Sequence, residues 1–114
     1  MQVLREKGCR VFILDGRLSA ENANELKELF EETRTQGGPV VVDMSNLKYI
    51  NSYGLGALVH ILRNSPQGVR LCCVPSKVLD VLELAKLDRF FSIYLSREEA
   101  LEEDPKEVPE RGGR

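Results

Sequence analysis

The run Pro39-Val40-Val41-Val42-Asp43-Met44 most limits what this chain can fold into. Three consecutive β-branched valines favour extended backbone. No polar residues alternate with them, which suits a strand covered on both faces. Such a strand needs a layer on each side, and the flanking sequence carries helical patterns. Ala23, Leu26, Leu29 and Phe30 recur at helical spacing upstream, as do Leu55, Leu58, Val59 and Leu62 downstream.

The rest of the chain repeats this alternation. Two short strands, 1–5 and 9–14, flank Glu6-Lys7-Gly8, a turn in which Gly8 is free to take positive φ. Ser19 is the expected N-cap of the first helix, with Glu21 in the first turn, where the helix dipole favours an acid. That helix stops near Gln36-Gly37-Gly38, ahead of Pro39. Residues 45–50 continue the valine strand as an irregular or extended segment. The second helix ends between Asn64 and Gly68, and 69–74 form another strand. Ser76 is the expected N-cap of a third helix running from Lys77 to about Leu87. A short strand at 90–95 precedes a fourth helix capped by Ser96, with Glu99 completing a capping box. Residues 104–114, with two prolines and two glycines, read as a disordered tail, leaving one domain over 1–103. The order β-β-α-β-α-β-α-β-α predicts an α/β fold with a mixed, mostly parallel sheet of four or five strands, an antiparallel edge and helices mainly on one face. Strand order does not follow from sequence.

Several functions are disfavoured. A chain of 114 residues with net charge −2 builds one core and offers no basic field for nucleic acid. No apolar stretch is long enough to span a bilayer, and Arg5, Glu6 and Lys7 interrupt the N-terminus, so neither membrane insertion nor a signal peptide is expected. A cytoplasmic location follows as an expectation. Cys9, Cys72 and Cys73 make an odd count without a C-x-x-C pair, consistent with reduced thiols. On a strand, Cys72 and Cys73 would point to opposite faces and make poor joint ligands. No metal-ligand spacing is present. The single histidine, His60, falls outside the apolar face of its helix and reads as solvent-exposed without a chemical role. It stands eight residues from Ser52 on one helix, about 12 Å, too far for a catalytic pair. Gly54-Leu55-Gly56 is half of a dinucleotide fingerprint at best. No cofactor is implied, and a binding protein is favoured over an enzyme.

The informative place is the junction Asn51-Ser52-Tyr53-Gly54. A helix start carries unpaired N–H groups and partial positive charge. Asn51 or Ser52 can cap it. Gly54 and Gly56 leave the first turn uncovered, so a partner can approach the backbone, and a phosphate on Ser52 would sit at the positive helix end. The third helix carries apolar residues on more than one face. Leu79 or Leu84 is therefore a candidate for exposure beside the second helix.

The stretch VVVDMSNLKYINSYGLGAL resembles the core motif of the STAS domain family, the fold of bacterial anti-sigma-factor antagonists. VFILDGRLSAENANELKELFEE is similar to the family's early strand, turn and first helix, with Ser19 where Asp is commoner. GVRLCCVPSKVLDVLELAKLDRFFSIYLSREEAL is similar to its closing segment, and about 100 residues are covered. The resemblance implies a regulatory binding function. An unphosphorylated antagonist captures an anti-sigma factor that is also a serine kinase of the GHKL ATPase type. The kinase phosphorylates the serine after the motif's Asp, the complex dissociates, and a phosphatase reverses the step. That serine corresponds to Ser52. With the exposure expected on the third helix, the expected partner surface comprises Asn51, Tyr53, Gly54, Leu55, Gly56, Ser19 and Leu79. Two departures stand out. Asn51 replaces the usual Asp, keeping a cap but losing a charge, and Tyr53 adds bulk where a small residue is usual. The alternative is a STAS accessory subunit of a membrane-transport ATPase or signalling assembly, without a phosphorylation cycle.

Overall fold

The computed structural model describes residues 1–102; the tail expected over 104–114 lies outside them. The elements are β1 (Gln2–Glu6), β2 (Cys9–Leu18), α1 (Ala23–Glu32), β3 (Val40–Ile50), α2 (Ser52–Arg63), β4 (Val69–Cys72), α3 (Ser76–Leu84), β5 (Ser92–Tyr94) and α4 (Arg97–Glu102). The sheet runs in chain order, β1-β2-β3-β4-β5. β1 is antiparallel to β2, and the remaining pairs are parallel. Among the described residues no helix is long and apolar enough to cross a membrane.

The valine run is the central strand, and its side chains alternate between two cores as a period of two requires. Val40, Val42 and Met44 face the larger core, which α1, α2 and α3 cover with Leu26, Phe30, Ala57, Leu58, Ile61, Val78 and Leu82. Val41 faces the other side, with Val11, Cys72, Ala100 and Leu101. Three helices thus share one face and α4 covers the other. Burying each large aliphatic residue of this set contributes about 2 kcal/mol.

Some local expectations hold and others are corrected. The segment 45–50 is extended strand, one of its two expected forms. It continues β3 to Ile50, with its register against β2 shifted between Ile13 and Asp15 and again between Gly16 and Arg17. Ser19 does not cap α1; Asn22 holds the N-cap position without a side-chain bond, because its amide is engaged by Ser19 N–H and the Arg17 carbonyl. Pro75, not Ser76, precedes α3, which ends at Leu84 with Lys86 in the left-handed region at φ 61°. The buried stripe of α2 is rotated from the expected one, comprising Gly54, Ala57, Leu58 and Ile61. Ser96 does cap α4, accepting from Glu99 N–H at 3.2 Å, while the returning bond from Glu99 reaches Leu95 N–H.

Cys72 and Cys73 do not part to opposite faces. β4 ends at Cys72, and Cys73 takes φ 58°, so both pack on the α4 side of the sheet. Their sulfurs and the Asp43 carboxylate lie within 4.8 Å of one another. Burial, reinforced by the Asp43 charge, pushes the Cys72 thiol far up, which opposes the thiolate a metal needs.

Candidate functional site

The junction after β3 is fixed from both sides. Asn51 N–H donates to the Leu18 carbonyl at the end of β2 at 3.3 Å, tying the helix start to the neighbouring strand. Its backbone is still extended from the strand end, and its side-chain Oδ1 accepts from the N–H groups of Tyr53 at 3.1 Å and Gly54 at 3.3 Å. The Asn51 carbonyl accepts Leu55 N–H at 2.9 Å and opens the helical ladder. Asn51 is therefore a full N-cap.

Ser52 is the first residue of α2 and is exposed. Its hydroxyl has no hydrogen-bond partner among the described residues. Tyr53 stands out beside it at 62% exposure. Gly56 is exposed, and a Cβ there would meet open space. Gly54 faces inward instead. A Cβ on it would sit 2.6 Å from the Leu18 carbonyl oxygen and 2.7 Å from Ile50 Cγ1. Glycine is needed there so that α2 can press on the ends of β2 and β3. Leu55 is half-buried against the larger core.

The other expected contact residues divide. Leu79 is half-buried, whereas Leu84 is 84% exposed. Ser19 is buried, and its hydroxyl donates to Glu21 at 2.6 Å, holding that carboxyl below its ordinary range. Ser19 and Gly54 thus offer little surface and act through position. His60 is not free in solvent. Its Nε2 lies 2.9 Å from Glu31 Oε2 and its ring stands edge-on to Phe30, so it joins α2 to α1.

Sequence reasoning missed a flanking feature. The Arg17 guanidinium stacks on the Tyr49 ring at 4.0 Å, on the paired ends of β2 and β3. Only the sheet register brings them together, and nothing in their spacing signals it. A shallow cleft of about 480 Å³ opens at the same end of the sheet, between Ser45 and Lys48 of β3 and Pro75-Ser76-Lys77 at the start of α3. An exposed hydroxyl at a helix start, flanked by Tyr53 and an arginine–tyrosine pair, is suited to docking and modification. Among the described residues no general base is hydrogen-bonded to it.

Comparison with known proteins agrees with this geometry. The STAS domain profile matches residues 1–100. A Thermotoga maritima protein named as an anti-sigma factor antagonist is 36% identical over 91 residues, covering 75% of this chain and 80% of its own. The crystal structure of a T. maritima protein of that description superposes with TM-score 0.80 at 26% identity, covering 94% of this chain and 92% of the other. The unphosphorylated form of the anti-sigma factor antagonist SpoIIAA shares the fold at TM-score 0.68 and 15% identity, covering 88% and 93%. Its phosphorylated form, from Bacillus, superposes at 0.67. The sheet order, the helix placement and the matched length lead to one conclusion: this chain belongs to the STAS domain family.

Proposed function

We propose that this protein is an anti-sigma-factor antagonist switched at Ser52. Unphosphorylated, it binds an anti-sigma factor that is also a serine kinase, and so frees the sigma factor. Phosphorylation of Ser52 by that kinase ends the complex, and a phosphatase restores it. The observation that carries this reading is the exposed, unpartnered Ser52 hydroxyl at the first position of α2. The family relation supports the class of partner.

The switch is electrostatic. A phosphate adds roughly −1.5 to −2 charge at neutral pH. The helix end offsets only ~0.3–1 kcal/mol of this, because Asn51 already takes two of its N–H groups. Burying a hydrated dianion in an interface costs several kcal/mol unless the partner supplies cations. The partner therefore leaves without any refolding of this chain. Tyr53, Gly56 and the edges of Asn51 and Leu55 form the contact surface around Ser52, with Leu79 in the first turn of α3 extending it. Asn51 in place of Asp removes a charge beside the hydroxyl, and Tyr53 selects the partner by bulk.

The test is titration of the kinase with wild type, Ser52→Ala and Ser52→Asp, together with phosphate transfer from ATP. Wild type and Ser52→Ala bind alike, Ser52→Asp binds about a hundredfold more weakly, and only wild type takes up phosphate. Equal affinity of wild type and Ser52→Asp removes the mechanism. Stable capture of a transport ATPase without phosphate incorporation replaces it with an accessory-subunit role.

A further inference from the structure

At the opposite end of α2 from Ser52, roughly 18 Å away for a helix of this length, three guanidiniums converge. Arg10 is only 4% exposed, and no carboxylate pairs with it among the described residues. Its Nη1 donates to the Thr33 carbonyl at 3.3 Å, and its buried Nε has no partner among the described residues. Its guanidinium stands 5.1 Å from the centre of the Phe30 ring, and that of Arg34 stands 6.0 Å from the same ring. Arg34 is held by Glu31 at 2.9 Å and by Asn64 Oδ1 at 3.0 Å. Arg5 lies opposite Arg10 across the β1–β2 pair and donates to the carbonyls of Gly8, Gln36 and Gly37.

Structural duty explains part of this. The C-termini of α1 and α2 end here, and each carries about half a negative charge. Among the described residues, these and Glu31 leave roughly one positive charge without a counter-charge. Keeping a guanidinium buried in that state is unfavourable. Burial, then repulsion from Arg5 and Arg34, weakens the hold of Arg10 on its proton.

A cavity of about 330 Å³ opens on this cluster, lined by Arg10, Arg34, Gly37, Gly38, Asn64 and Gly68, among others. That volume falls at the small end of the range for small-molecule sites. Gly37 and Gly68 leave backbone uncovered for close approach, whereas Gly38 packs against the Gly8 carbonyl. The lining comes from β2, from the chain after α1 and from the loop after α2. Two guanidinium forks on one cavity suit an oxyanion with several acceptor oxygens, and a phosphate group offers three.

We propose that this cavity binds a phosphate group, free or carried by a small metabolite, with Arg34 and Arg10 gripping its oxygens. The test follows backbone amide resonances of the full chain during titration with sodium phosphate, glycerol phosphate or citrate, against sodium chloride at matched ionic strength. Saturable shifts at Gly37, Gly38 and Gly68 are expected with phosphate and not with chloride. Tighter binding of glycerol phosphate identifies a phosphorylated metabolite as the ligand, and tighter binding of inorganic phosphate identifies the free ion. Arg34→Gln, on the surface and tolerated by the fold, weakens the binding about tenfold. Arg10→Gln, where it folds, does the same, and Ser52→Ala leaves it unchanged. Non-saturating shifts, equal shifts with chloride, tighter binding of citrate, or undiminished binding by Arg34→Gln would overturn the proposal.

Discussion

The Arg97 Nε lies 2.9 Å from Asp43 Oδ2, joining α4 to the central strand through a carboxylate whose side chain is 4% exposed. The same guanidinium reaches Glu6 at 2.9 Å. Burial alone raises the Asp43 carboxyl, but the N–H and hydroxyl of Ser45 and the charge of Arg97 overcome it and hold the group below its ordinary range. A depressed carboxyl stabilises the fold above its unfolded pKa, about 3.9, and loses that contribution as pH falls through its folded value. Arg97→Met should cost about 2–3 kcal/mol at neutral pH, less than for a fully buried pair because Arg97 is partly solvated. The remaining buried Asp43 then titrates higher, so the variant loses less stability on acidification, and its deficit against wild type is largest near neutral pH and shrinks as pH falls. Urea melts across pH 3–7 check both.

Gly54 and Gly56 sit two positions apart on α2 and should respond oppositely to alanine. At Gly54 the new Cβ meets the Leu18 carbonyl oxygen, a backbone atom that cannot step aside. A loss of about 1–3 kcal/mol is expected. At Gly56 the Cβ points into open space, and relief of glycine's poor helix propensity adds up to about 1 kcal/mol. Thermal melts distinguish the two. If Gly56→Ala also weakens partner binding, the loss comes from the contact surface, since the fold itself is stronger.

The cap at Asn51 separates stability from charge. Asn51→Ala leaves the Tyr53 and Gly54 N–H groups without their acceptor and should cost about 1 kcal/mol. Asn51→Asp keeps the acceptor, adds a negative charge at the helix start and should gain ~0.3–1 kcal/mol at low salt. Denaturant midpoints at low and high salt measure this, with the gain shrinking as salt rises.

The three cysteines should differ in reactivity. Cys9 and Cys72 are buried and Cys73 is half-buried. Burial raises the thiols of Cys9 and Cys72, so both stay protonated well above neutral pH. A thiol reagent at pH 8 should modify Cys73 first and reach the other two only on unfolding. Peptide mapping after timed labelling reads the order.

The alternation of strand and helix was legible because β-branched runs and helical spacing act over a few residues. Strand order was not, since Val42 meets Phe12 and Leu71 through the sheet and no local pattern encodes those pairs. Capping was read with uneven success for a physical reason. Ser96 stands next to its helix with Glu99 in reach, whereas Ser19 lies three residues too early and its hydroxyl turns to Glu21. The vicinal thiols were misjudged because strand alternation was extended one residue past the point where Cys73 adopts φ 58°. Ser52 stood out by its neighbours, while the three arginines did not, because residues 5, 10 and 34 meet only after β1, β2 and α1 have packed.

Each strand of the sheet lies next to the one that precedes it in the chain. During synthesis, every newly made strand can dock on an edge already in place, and no gap has to be held open for a later arrival. Such an order keeps loop-closure penalties small and favours quick assembly from the ribosome onward.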